Sequence, residues 1–179
     1  MNVDALMENL EYVLIEATKT LQLPTKGGEY TAPKVVRGYL PPKNPKLDQK
    51  DIPCVIVRLL GDESTDDDTT AQIKIICIAY SEDDEQGWRE ILTIMNPIKT
   101  YLLEHRNVGD CYRVALPIKR EIPEEQGPPE WYGTFTLNVE IPNVQEVNED
   151  VRGFLAGKCA RNNQNDEDSG YNAARRGCK

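Results

Sequence analysis

Apolar residues at Val3, Leu6, Met7, Leu10, Val13, Leu14, Ala17 and Leu21 recur at steps of three and four. That period places them on one stripe of a helix over about residues 2–22, which stops before Pro24 and the Gly-Gly turn of LPTKGGEY. The texture then becomes β-like in KVVRGYL, from Lys34, and gives way to PPKNPKLDQKDIP. Prolines remove backbone donors, so residues 41–53 read as an exposed loop long enough to reach a neighbouring molecule.

Two β-branched runs follow, CVIVRLL (54–60) and AQIKIICIAY (71–80), separated by the polar GDESTDDDTT. This pattern predicts an antiparallel hairpin, with Arg58 as an edge or rim charge. Helical spacing returns at Trp88, Ile91, Leu92, Met95, Ile98 and Leu102, which predicts a second helix over about residues 84–106. Ser81 and the acidic residues 82–85 supply capping oxygens and favourable charge at its start. Pro97 removes one helical hydrogen bond, so a kink or break near Asn96 is expected.

Two strands close the compact part, CYRVALPIKREI and WYGTFTLNVEIP. In the second, Trp131, Gly133, Phe135, Leu137, Val139 and Ile141 alternate strictly with Tyr132, Thr134, Thr136, Asn138 and Glu140, so one face is core and the other meets solvent or a partner. The order of elements lacks regular βαβ alternation and predicts an α+β fold, an antiparallel sheet with two main helices packed on one face. Beyond Val147 apolar residues are few, and residues 148–179 are expected to form a flexible C-terminal arm outside a domain of residues 1–147.

Charge narrows the possible partners. With 21 basic and 30 acidic residues the chain carries a net charge of −9. Such a chain lacks the phosphate-neutralising surface of a nucleic-acid binder and the basic patch of a membrane-surface protein. The acidic N-terminus has no basic region followed by an apolar one, and no apolar run is long enough for a membrane span, so a soluble protein made in the cytoplasm is expected.

Candidate chemistry is sparse. A hydrolytic triad needs a histidine, and His105, the single one, falls at a predicted helix end beside Arg106. Neither GxxxxGK[ST] nor GxGxxG is present, and five cysteines without a CxxC give no zinc pattern. Cys54, Cys77 and Cys111 lie in apolar or alternating runs and read as reduced packing residues; Cys159 and Cys178 lie in the tail. The aromatics Trp88, Tyr112, Trp131 and Tyr132 read as core rather than as a base-stacking platform, because no basic residues interleave the last strand. Asp62, Glu63, Asp66, Asp67 and Asp68 lack the DxDxDG order of a calcium loop. They are expected to act by charge, without chelation, and no cofactor, metal or catalytic residue is assigned.

The P-x-V-x-V-R strand ending at Arg58 with its acidic loop, the segment from Tyr80 to Gly87-Trp88 entering the second helix, and the P-x-x-W-x-G strand from Pro128 to Gly133 resemble tail terminator (tail completion) proteins of long-tailed bacteriophages. The resemblance spans about residues 3–147. It implies a non-enzymatic structural subunit in a hexameric ring that caps the tail tube, stops its polymerisation and meets the head connector or stopper protein. DNA would pass through the lumen without specific binding, and the protein would reside in the virion at the head–tail junction. On that reading Asp62 to Asp68 line the lumen or the tube-facing rim. Another head–tail connector or minor tail protein, or a cellular binding module, is the alternative.

Overall fold

The structure, a computed structural model, describes residues 3–39, 52–65, 68–85 and 87–142. Helix α1 spans Val3–Thr18 and buries Leu6, Met7, Leu10, Val13 and Leu14, with Val3, Ala17 and Leu21 packed at the margin. It ends one turn earlier than its periodicity suggests. The Thr18 hydroxyl turns back to donate to the Leu14 carbonyl at 2.7 Å, and the Leu21 amide donates to the Thr18 carbonyl. The residues around Pro24 then form a small separate ladder, β1 (Leu23–Pro24) against β2 (Tyr30–Thr31).

The main sheet has six strands: β3 (Lys34–Arg37), β4 (Cys54–Ser64), β5 (Thr69–Tyr80), β6 (Asn107–Val108), β7 (Tyr112–Glu121) and β8 (Glu130–Ile141). Their spatial order is β3-β4-β5-β8-β7-β6. All pairs are antiparallel except β3–β4, which is parallel. Helix α2 spans Gly87–Glu104 and lies over β5 and β8, while α1 lies over β3 and β4 and touches α2. The fold is therefore α+β, with both helices sharing one core with one face of the sheet.

Period-two alternation decides which face is covered. Ile73, Ile75, Cys77 and Ala79 of β5 are fully buried beside Leu137, Phe135, Gly133 and Trp131 of β8, and all face the helices. In β4, Val55 and Val57 join this layer. The opposite face carries Ile76, Ile78, Lys74 and Gln72 from β5 against Thr134, Tyr132, Thr136 and Asn138 from β8. No described helix lies on that side, and no described helix is long and apolar enough to cross a membrane.

Several expectations need correction. The segment GDESTDDDTT is not all loop, because β4 runs to Ser64 and β5 starts at Thr69, leaving a turn of a few residues. Arg58 is not on an edge strand, since β4 lies between β3 and β5. Trp88 is 42% exposed; the helix stripe starts instead at Gly87, which is buried against the Trp131 indole. Of the kink or break expected near Asn96 the break is absent, because helix α2 runs on across Pro97. Cys54 and Cys77 are buried and reduced as expected, but Cys111 is exposed in the turn before β7. Burial pushes the Cys77 thiol far above its ordinary value, because a thiolate there would lose its hydration. The loop of residues 41–53 up to Asp51 and the arm of residues 148–179 lie outside the described residues.

Candidate interaction surface

The β4–β5 hairpin is held as an extension of the sheet. Its ladder reaches Ser64 opposite Thr69, and β8 supports β5 along the same length through Ile141 opposite Thr69. The sharp turn is closed locally. The Thr65 amide donates to the Asp68 carbonyl at 2.7 Å, and the Thr65 hydroxyl donates to the Asp68 carboxylate at 2.8 Å. Small hydroxyl and carboxylate side chains stabilise such turns by bonding nearby backbone. Asp62, Glu63 and Asp68 are exposed at this tip. Asp66 and Asp67 lie outside the described residues. Among the described residues no group of His, Cys, Asp and Glu is arranged to hold a metal ion.

A shallow depression of about 350 Å³ lies at the base of the tip, between Glu63, Thr70 and Asn138. A larger open groove of about 800 Å³ separates α1 from β3. The Arg37 guanidinium bridges its walls, 3.0 Å from Glu8 and 2.8 Å from Glu11. At its far end the Arg58 guanidinium lies over the Tyr39 ring at 4.0 Å, and its Nε donates to the Gly38 carbonyl at 3.4 Å. The groove lining contains no Ser, Thr, Cys or His. It offers paired charges and apolar surface, the materials of a contact. Sequence reasoning missed this groove, because Arg37, Tyr39 and Arg58 meet only through the parallel β3–β4 pairing.

Among the described residues both ends of the sheet are open. Strand β3 pairs only with β4, and two bonds fix its phase: the Lys34 amide donates to the Pro53 carbonyl, and the Gly38 amide to the Val57 carbonyl. In a parallel ladder the alternate peptide groups, here those of Val35 and Arg37, turn to the free side. At the other end β6 covers β7 only at Tyr112 and Arg113, while Arg106 takes Val114, accepting from its amide and donating through Nε to its carbonyl. Beyond Ala115 the β7–β8 register shifts, and the exposed edge carries Leu116, Pro117, Lys119 and Glu121. A bulge, a proline and charges are the devices that discourage indiscriminate strand pairing.

Where β7 leaves β8, a side chain continues the ladder. The Gln126 amide nitrogen donates to the Tyr132 carbonyl at 2.7 Å, and its oxygen accepts from the Tyr132 amide at 3.0 Å. His105 stacks on Tyr101 with ring centroids 4.3 Å apart at the end of α2, a packing position rather than one beside a nucleophile. Asp83 organises the entry to α2, its carboxylate accepting from the Glu85 amide and its carbonyl from the Gly87 amide. Of the four aromatics read as core, Tyr112 and Trp131 are buried, whereas Trp88 and Tyr132 are about two-fifths exposed, at 42% and 40%. No family model matches the sequence, and the search of curated proteins returned no match.

Proposed function

We propose that this protein is a structural subunit that closes the end of a bacteriophage tail tube as a ring, stops its growth and presents the surface that meets the head connector. The observation that carries this reading is a six-stranded sheet covered by helices on one face and open at both ends, with strands of different composition at the two ends. Unlike edges on opposite sides of one molecule suit head-to-tail contacts, and such contacts close into a ring when the rotation permits. The P-x-V-x-V-R and P-x-x-W-x-G strands that carry the resemblance to tail terminators form β4 and β8, two of the four long central strands. The described pockets supply charged and apolar lining without a catalytic constellation.

Native mass spectrometry and negative-stain imaging of the full chain, alone and mixed with tail tubes, test the proposal. The expected result is a closed ring, six copies on the family resemblance, seated at tube ends and halting elongation. A chain that stays monomeric at every concentration, with tubes present, would overturn it.

A further inference from the structure

The helix-free face of the sheet carries a charge pattern that net composition conceals. In the register of the ladders Arg58 stands opposite Lys74, Lys74 opposite Thr136, and Thr136 opposite Lys119. These four residues form one line across β4, β5, β8 and β7. At about 4.8 Å per strand the line is roughly 14 Å long. Each lies one residue from a helix-facing neighbour, Val57, Ile75 and Phe135 among them, so all four share the open face.

Like charges directly opposite each other oppose strand pairing. Arg58 and Lys74 are such a pair, and the contacts of Arg58 with the Tyr39 ring and the Gly38 carbonyl involve no carboxylate. Lys119 meets the Glu121 carboxylate at 2.6 Å and remains 68% exposed. Along this row three cations therefore meet one described carboxylate, while Arg113 and Glu140 stand opposite one another further along the same face, in a chain whose net charge is −9.

We propose that this row receives the acidic hairpin tip, Asp62, Glu63 and Asp68, of a second copy of the chain. No lysine or arginine occurs between Arg58 and Lys74, so the hairpin carries nothing basic of its own to neutralise the tip. Nor can the tip reach its own row. It is separated from Arg58 by four residues of strand, about 13 Å, and continuous pairing to Ser64 and Thr69 holds it extended. A nucleic-acid strand is the weaker candidate, because its phosphates would approach a molecule that is strongly negative overall. Donor and receiver occupy different places on one chain, so the contact is compatible with the head-to-tail joints that a ring requires. The inference specifies how copies join in the proposed ring and rests on that reading for closure alone.

Charge reversal tests it on the full chain. Sedimentation velocity at about 0.1 M and about 1 M salt, where Debye lengths are about 10 and 3 Å, reads the association. Wild type is expected to associate at low salt and loosen at high salt. K74E/K119E and D62K/E63K/D68K should each weaken low-salt association about a hundredfold, since like charges then face each other. Mixing the two variants should restore it, because each then offers the charge that the other needs. K74Q/K119Q, with circular dichroism matching wild type, gives a milder loss that cannot be ascribed to misfolding. Variants that associate like wild type, or a mixture that fails to recover, would overturn the contact. So would short duplex DNA binding that is lost in K74Q/K119Q while self-association is unchanged. A reciprocal dimer with the same charge dependence would support the contact and overturn the ring.

Discussion

A glycine explains why the second helix begins where it does. A β-carbon on Gly87 would lie 2.2 Å from the Trp131 indole, whose Nε1 is itself tied to the Ser81 carbonyl at 3.2 Å. A ring bonded and buried in this way cannot yield. Gly87→Ala should cost about 1–3 kcal/mol, lower the melting temperature by several degrees and shift the tryptophan emission. Gly133 is crowded mainly by Met95, with Sδ at 2.6 Å and Cε at 3.2 Å. A thioether has rotamers to spare, so Gly133→Ala should cost less than Gly87→Ala in the same melting experiment. Equal or reversed costs would show that the indole, not the methionine, is the adaptable neighbour. Glu121 offers a second measurable property. The Lys119 ammonium beside it, aided by Lys74, holds its carboxyl below the usual carboxylate range. A depressed folded value means that the favourable interaction is complete above the unfolded value, about 4.3, and is lost as pH falls through the folded one. Carbon-detected titration should give Glu121 a midpoint below those of isolated glutamates, and Lys119→Met should raise it.

Among the elements, β8 was the most legible from the sequence, because one of its faces is wholly buried and the other largely polar, which writes a period of two into the chain. Helix α1 was legible for the same reason at a period of 3.6. Trp88 was misread because glycine contributes nothing to a hydrophobic pattern, so a stripe anchored on Gly87 looks like one anchored on its aromatic neighbour. The ends of β4 and β5 were invisible because Leu60 to Ser64 are exposed and most are polar, and only the ladder makes them strand. The parallel placement of β3 depends on a partner distant in sequence, and the two residues of β6 are too few to show a period. The acidic tip could be read as charge; the row of Arg58, Lys74 and Lys119 could not, since only strand register aligns residues so far apart. The side chain that replaces a strand at Tyr132 is equally hidden. Gln126→Ala should remove both of its bonds to Tyr132 as well as the one to the Pro123 carbonyl, cost about 1 kcal/mol and accelerate hydrogen exchange at the Tyr132 amide. Unchanged exchange would mean that the backbone there is protected by something other than Gln126.

At the scale of the molecule, every described residue of the hydrophobic cluster lies between Leu6 and Ile141. A chain ending at residue 147 should therefore fold, with a melting temperature within a few degrees of the full chain; insolubility or a large drop would mean that residues 148–179 complete the core. The cluster also contains a clock. Cys77 sits at the middle of β5, the strand bonded on both sides by the longest ladders, and its thiol is wholly buried and held protonated. A cysteine attacks a thiol-modifying reagent as its thiolate, so the reagent should take the exposed Cys111 first and wait at Cys77 until the whole sheet parts. Peptide-resolved mass spectrometry of that delay would time, without any engineered site, how often the molecule comes fully undone.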